Sequence, residues 1–131
     1  MTTITMFLTL IGNNFDPSYV TDRLGIKPDE IRVKNEVLGN GRIFGHYEWA
    51  ICSSKYETDF AKMAIDEVLE RIYDKIPLFS AVAKEVMAEW HFLFTFDVYE
   101  DFPVVVFSKE FIQIAAELDA QIGFDVLLLN K

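Results

Sequence analysis

The stretch Trp90–Tyr99 (WHFLFTFDVY) restricts the possible folds more than any other part of the sequence. Apolar side chains occupy every second position: Trp90, Phe92, Phe94, Phe96 and Val98. Alternate side chains of an extended strand point to the same face, so these five form one apolar face. The opposite face is mixed in polarity. Such a strand packs one face on a core and leaves the other partly solvated, which predicts a strand in the middle of a sheet.

Five further segments have strand patterns: Thr3–Ile11, Ile31–Val33, Tyr47–Ile51, Val104–Phe107 and Ile122–Leu128. Apolar residues at helical spacing occupy the segments between most of them. The predicted order is therefore β-α-β-β-α-β-β-α-β. Its first six elements have the order of a ferredoxin-like fold, and the last β-α-β would extend the sheet. We predict a single α+β domain over residues 1–131, with a mixed, mostly antiparallel sheet of about six strands and helices mainly on one face.

Capping residues in the sequence predict where the helices begin and end. Asp16 before Pro17 predicts the start of the first helix, because aspartate accepts hydrogen bonds from free amides and proline suits the first helical position. Gly25 is a candidate left-handed C-terminal cap. Thr58 and Ser108 are predicted to cap the second and third helices.

The charge balance narrows the classes of partner. Lysine and arginine total 12 against 21 aspartates and glutamates, a net charge of −9. Such a surface repels phosphate backbones, which argues against nucleic-acid binding, and it attracts a basic partner. The apolar runs are too short for a bilayer, so no membrane partner is expected. The single cysteine, Cys52, and an uncharged N-terminal apolar segment favour a cytoplasmic protein without a signal peptide.

Several blocks of the sequence resemble a known family. The run Phe15–Pro28 (FDPSYVTDRLGIKP) carries the pattern Phe-x-Pro, then an apolar residue and Thr, then Leu-Gly-Ile-x-Pro. It is similar to the N-terminal signature of a bacterial domain of unknown function, DUF4279. Tyr47–Trp49 resembles the next block, and the segment from Pro103 to Val126 resembles the last. Asn35 stands where the family pattern has glycine. The resemblance implies a small intracellular bacterial domain without an established activity, with some members regarded as immunity-like proteins beside toxins.

Polar residues on two predicted strands could form a chemical site. His46 and Glu48 share one face of a strand, and His91 or Asp97 could complete a metal or catalytic site if the strands were neighbours. The alternative is that these are ordinary exposed strand residues, and no recognised metal motif is present. Cys52 is a nucleophile only if activated, and no activating motif surrounds it. We therefore expect no cofactor and no metal.

The candidate binding residues lie around the predicted hairpin. They are Arg32, Arg42, Trp49, His46 and Glu48. Tryptophan and arginine are common in binding hot spots, and an uncovered sheet face would expose them to a partner. Three functions stay open: a non-catalytic interaction module, such as an immunity-type protein that binds a basic toxin; a small-molecule binder or enzyme that uses the open sheet face; and a homodimer.

Overall fold

Six strands and four helices make up the computed structural model, which describes residues 2–129. In chain order they are β1 (Thr3–Gly12), α1 (Pro17–Leu24), β2 (Glu30–Arg32), β3 (Tyr47–Cys52), β4 (Tyr56–Glu57), α2 (Lys62–Ile72), α3 (Ile76–Glu85), β5 (Glu89–Val98), α4 (Lys109–Glu117) and β6 (Gln121–Leu128). None of the helices within this range has the length and apolar character needed to cross a membrane. The predicted α+β class is confirmed.

The strands form one sheet in the order β2-β3-β1-β5-β6, and short β4 pairs with the start of β1. Every neighbouring pair is antiparallel except β5 and β6, which are parallel. The order β2-β3-β1-β5 is that of a ferredoxin-like sheet, as the element order predicted. Strand β6 then extends the sheet beside β5.

The helices pack on one face of this sheet. Trp49, Leu10 and Trp90 are aligned across β3, β1 and β5, and all three side chains are fully buried. The Trp90 ring lies 5.1 Å from that of Phe79 on α3, and its indole N–H donates to the Phe79 carbonyl at 2.8 Å. Helix α4 packs on β5 through Phe111, whose ring is 4.9 Å from that of Phe92. The apolar face of β5 is therefore the floor of the core, as its alternation predicted.

Helix α1 begins and ends where its sequence predicts. The Asp16 carboxylate accepts a hydrogen bond from the Ser18 amide at 2.9 Å, and Pro17 occupies the first helical position. Gly25 ends the helix with φ of 67°, a left-handed conformation that glycine adopts without steric cost. Ser108 likewise caps α4, because its hydroxyl accepts from the Phe111 amide at 3.1 Å.

Two local predictions were wrong. The segment 104–107 is no strand of the sheet: Val104 forms an isolated parallel bridge with Phe60. Strand β6 already occupies the place beside β5, and Phe107 instead packs its ring 5.8 Å from that of Phe94. Thr58 does not cap α2. Its hydroxyl accepts only from the Phe60 amide, and the helix begins at Lys62 after one further turn of chain.

Candidate functional site

No helix within residues 2–129 packs on the face of the sheet opposite the core, the uncovered face, although Thr5, Thr9 and Ala50 on it are buried. Side chains alternate along each strand, so odd-numbered residues of β1 and β5 face away from the core. Across the strands this face aligns Phe7 with Leu93 and Thr95 with Asp125. On the other side of β1 it aligns Thr9 with Ala50. The uncovered face is therefore built from long-range strand pairing.

A hollow of about 230 Å³ lies on this face. Its lining combines apolar residues, two hydroxyls and three carboxylates: Phe7, Ala50, Leu93, Phe124, Thr9, Thr95, Glu30, Glu48 and Asp125. Gly123 stands beside Leu93 in the register, and a Cβ there would come within 3.1 Å of Leu93 Cδ2. The missing side chain at Gly123 gives Leu93 its room in the floor.

Two of the three carboxylates already have a partner within the chain. Glu48 Oε2 lies 2.8 Å from His46 Nε2, and Glu30 Oε1 lies 3.2 Å from Arg32 Nη2. Arg32 also reaches Glu36 at 3.2 Å, so its single positive charge is shared between two carboxylates. Asp125 has no ion-pair partner among residues 2–129. The rim of the hollow therefore keeps a net negative charge.

The structure brings together three of the five predicted binding residues. Arg32 and Glu48 are opposite each other across β2 and β3, and His46 is hydrogen-bonded to Glu48. Arg42 lies on the exposed tip of the hairpin, where its backbone amide donates to the Asn40 side chain. Trp49 lies on the opposite face of β3 and is fully buried, so its side chain is part of the core and reaches no partner surface.

The predicted meeting of His46, Glu48, His91 and Asp97 does not occur at the hollow. Only Glu48 is among its lining residues. His91 Nε2 instead lies 3.8 Å from Glu89 Oε2 on the same strand. Within residues 2–129, no group of three or more histidine, cysteine, aspartate or glutamate side chains is placed to hold a metal ion.

Cys52 also faces the uncovered side, opposite Phe7. Burial raises the pKa of its thiol, and the nearby charges of Asp29 and Glu30 raise it further. A reactive cysteine needs the opposite, a lowered pKa that gives a thiolate at neutral pH. The geometry around Cys52 therefore offers no activated nucleophile.

A larger hollow of about 460 Å³ lies between α1 and β2. Part of its polar lining already has partners within the chain. The Thr21 hydroxyl donates to the Pro17 carbonyl and accepts from the Trp49 indole, and the Asp29 carboxylate is bonded to Arg71. The hollow on the open face has three carboxylates and no lysine or arginine in its described lining, whereas Lys27 lines the larger hollow. The hollow on the open face is therefore the better candidate site for a positively charged group.

Sequence reasoning did not single out Phe7, Leu93 and Glu30 as members of a site. The alternation of β1 and β5 places Phe7 and Leu93 on the mixed face, so a search of that face could have found both. Glu30 joins the hollow only because β2 pairs with β3 in one register. Asp125 and Asp97 lie on the same face of neighbouring strands, and Asp97 is two residues beyond Thr95, the partner of Asp125.

The sequence profile of one protein family, described as "Domain of unknown function (DUF4279)", matches residues 2–129. The chain belongs to this family. No match was found among the curated proteins, and none among the solved structures. Asn35, where the DUF4279 pattern has glycine, adopts φ of 71°. Asparagine tolerates this left-handed conformation better than most residues, so a position that suits glycine also accommodates Asn35.

Proposed function

We propose that this DUF4279 domain is a non-catalytic binding module that holds a cationic side chain of a protein partner on the open face of its sheet. One observation carries the proposal. The uncovered face has a hollow with an apolar floor and a rim of carboxylates. A lysine or arginine has the matching structure, an aliphatic stem that covers apolar surface and a charged head that pairs with carboxylates.

The size of the hollow favours a side chain over a whole small molecule. Pockets for drug-sized ligands have volumes of about 300–1,000 Å³, and this hollow has about 230 Å³. The stem of the guest would lie on Phe7 and Leu93. Its head would lie near Asp125, the carboxylate of the rim that has no ion-pair partner in the described part of the chain.

The charge of the whole chain supports the same kind of partner. A net charge of −9 produces a negative field that accelerates the approach of a basic protein. A basic toxin, neutralised by this domain as an immunity-type protein, is the version of the proposal that the family resemblance supports. A cytoplasmic location belongs to the same proposal and rests on the free thiol of Cys52.

The first experiment uses a small probe. The ¹⁵N-labelled domain is titrated with N-acetyl-argininamide and, separately, with the neutral isostere N-acetyl-citrullinamide. We expect amide shifts concentrated around Phe7, Ala50, Leu93 and Asp125 with the arginine probe only. The double variant Glu30→Gln/Glu48→Gln should weaken binding by about two- to thirtyfold, because each of the two partly exposed ion pairs contributes about 0.2–1 kcal/mol.

The matched control is Glu117→Gln, which removes one charge from an exposed position of α4. It should leave the arginine titration unchanged. Shifts of equal size with both probes, or shifts scattered over the helices, would contradict the proposal.

The second experiment tests the partner class. The domain is titrated against the purified basic protein encoded by a neighbouring gene, at two salt concentrations. If charge steers the binding, the association rate constant should fall markedly as the salt concentration rises. Binding without salt dependence would remove the electrostatic part of the proposal, and absence of binding would remove the immunity version.

A further inference from the structure

The two edges of the sheet differ sharply. Edge strand β2 has only three residues, and two of them, Glu30 and Arg32, are charged. Edge strand β6 has eight residues, QIGFDVLL, and Asp125 is its only charge. Natural proteins protect exposed edges by short strands, charges, prolines or bulges, because an open edge can pair with another chain. Strand β2 has such protection, and β6 has almost none.

The outer side of β6 presents unpaired backbone groups. The Leu129 amide donates to the Val98 carbonyl of β5 at 2.8 Å. Backbone N–H and C=O groups alternate in direction along a strand, so odd-numbered residues of β6 face β5. The groups of Ile122, Phe124 and Val126 therefore point outward, and in the described chain no strand lies beyond β6.

The side chains of the same three residues leave apolar surface exposed. They lie on the helix face, where the register pairs them with buried residues of β5, yet Ile122, Phe124 and Val126 are 36, 52 and 44% exposed. The Phe124 ring stacks at 5.5 Å on Phe94 and at 5.9 Å on Phe96. A ladder of stacked rings thus runs out of the core and ends on a half-exposed phenylalanine.

We propose that β6 pairs with β6 of a second copy of this chain, antiparallel about a two-fold axis, to form one continuous sheet. A two-fold axis perpendicular to the sheet keeps the helices of both copies on one side. It therefore aligns even-numbered residues with even-numbered ones. Phe124 then lies opposite Phe124 of the second copy, and Ile122 lies opposite Val126. The ring ladder continues across the axis.

Asp125 selects this register. A shift by one step, which would pair the strands over a similar length, places Asp125 opposite Asp125 of the second copy. Like charges directly opposite destabilise a strand pair. In the register centred on Phe124, Asp125 lies opposite Gly123, which has neither charge nor side chain.

A second copy fits this edge better than a highly charged chain does. The domain carries a net charge of −9, and two copies repel wherever their acidic surfaces approach. Strand β6 is a long segment with a single charged residue, Asp125. In the register centred on Phe124, Asp125 of one copy does not lie opposite Asp125 of the other. The contact is isologous, as in most homodimers, so each copy supplies the same surface.

Sedimentation equilibrium of the full chain tests the proposal. From roughly 10 to 500 µM, a range suited to interfaces of modest size, the mass should rise toward twice 15.1 kDa. Phe124→Lys should weaken dimerisation at least tenfold. Met63→Lys places the same charge at a comparably exposed site on α2 (55%) and should leave the dimer unchanged. A monomeric wild type, or equal dimerisation of wild type and Phe124→Lys, overturns the proposal.

A cross-link measures the register and needs no destabilising charge. In a Cys52→Ser background, Phe124→Cys should form an intermolecular disulfide. Paired residues have Cα atoms about 5.5 Å apart, within the range that a disulfide spans. Asp125→Cys should not cross-link, because its counterpart lies diagonally, about 7–8 Å away. Absence of the Phe124→Cys cross-link overturns the proposal, and cross-linking of Asp125→Cys alone overturns the register. The cation site is tested by the N-acetyl-argininamide titration of the chain with its native Phe124, because Phe124 also lines the hollow. A monomeric wild type that still binds the probe would overturn the dimer alone.

Discussion

The indole N–H of Trp49 donates a hydrogen bond to the hydroxyl of Thr21 at 3.0 Å. Thr21 belongs to the first family block, Phe15–Pro28, and Trp49 to the second. The same hydroxyl donates to the Pro17 carbonyl one turn earlier at 3.2 Å. This bond holds α1 on the helix face of β3, so two of the sequence blocks that resemble the family are the two sides of one packing contact.

We expect Thr21→Val to reduce the free energy of unfolding by about 1–3 kcal/mol. Valine keeps the shape of threonine but removes the acceptor, which leaves the buried indole N–H of Trp49 unsatisfied. Urea denaturation monitored by tryptophan fluorescence measures the change. Thr21→Ser keeps the hydroxyl and should lose much less, so equal losses for both variants would contradict the role of the hydrogen bond.

The sequence predicted the parts of the fold that depend on local patterns. Alternation in β5 identified the core face, and Asp16, Pro17 and Gly25 identified the ends of α1. The order of elements predicted the ferredoxin-like sheet. These features depend on neighbours within a few residues or on connections that short loops restrict to few topologies.

The composition of the candidate site could not be predicted in the same way. Glu30, Glu48 and Asp125 come from β2, β3 and β6, and only the strand register brings them together. The periodicity of β6 placed Phe124 on the apolar side but could not show that no helix covers it. The residue type of Trp49 favours a binding hot spot, but its alternation with Glu48 places it on the other face of β3.

The space around Gly12 is too small for an alanine side chain. A Cβ at Gly12 would lie 2.8 Å from Ala88 Cβ and 3.1 Å from Phe15 Cδ1. We expect Gly12→Ala to lower the free energy of unfolding by about 1–3 kcal/mol through overpacking. Gly45→Ala is the control, since nothing lies within 4 Å of its Cβ position. It should be neutral in the same denaturation experiment, and a loss equal to that of Gly12→Ala would exclude overpacking as the cause.

Cys52 should react slowly with iodoacetamide in the folded domain. Its thiol is partly buried, and that burial together with the charge of Asp29 raises its pKa. The thiolate is the reacting form. Alkylation of Cys52 between pH 7 and 9 should therefore be slower than that of a reference cysteine whose amino and carboxyl groups are blocked and whose thiol is free. In concentrated urea the two rates should converge. A native rate faster than that of blocked cysteine would indicate an activated thiol and would reopen nucleophilic catalysis.

The pair Arg23–Glu85 should make part of the stability depend on pH. Arg23 donates to both carboxylate oxygens of Glu85, at 2.9 and 2.5 Å, and the Tyr19 hydroxyl donates to Oε1. These hydrogen bonds, first from Arg23 and then from Tyr19, lower the pKa of Glu85 to about 2. A carboxyl whose pKa is lower in the folded state than in the unfolded state stabilises the fold at every pH above the pKa of the unfolded state. That contribution is lost as pH falls from about 4.5 to about 2.

Glu85→Gln tests this dependence, because it removes the titration while keeping an acceptor. The difference in melting temperature between wild type and Glu85→Gln should be largest above pH 5 and should shrink toward zero as the pH approaches 2. Other carboxylates titrate in the same range, so the difference between the two proteins is the quantity to follow. Glu117→Gln, an exposed position on α4, should show no such trend. A difference that stays constant from pH 7 to pH 2 would mean that Glu85 contributes through packing and not through its charge.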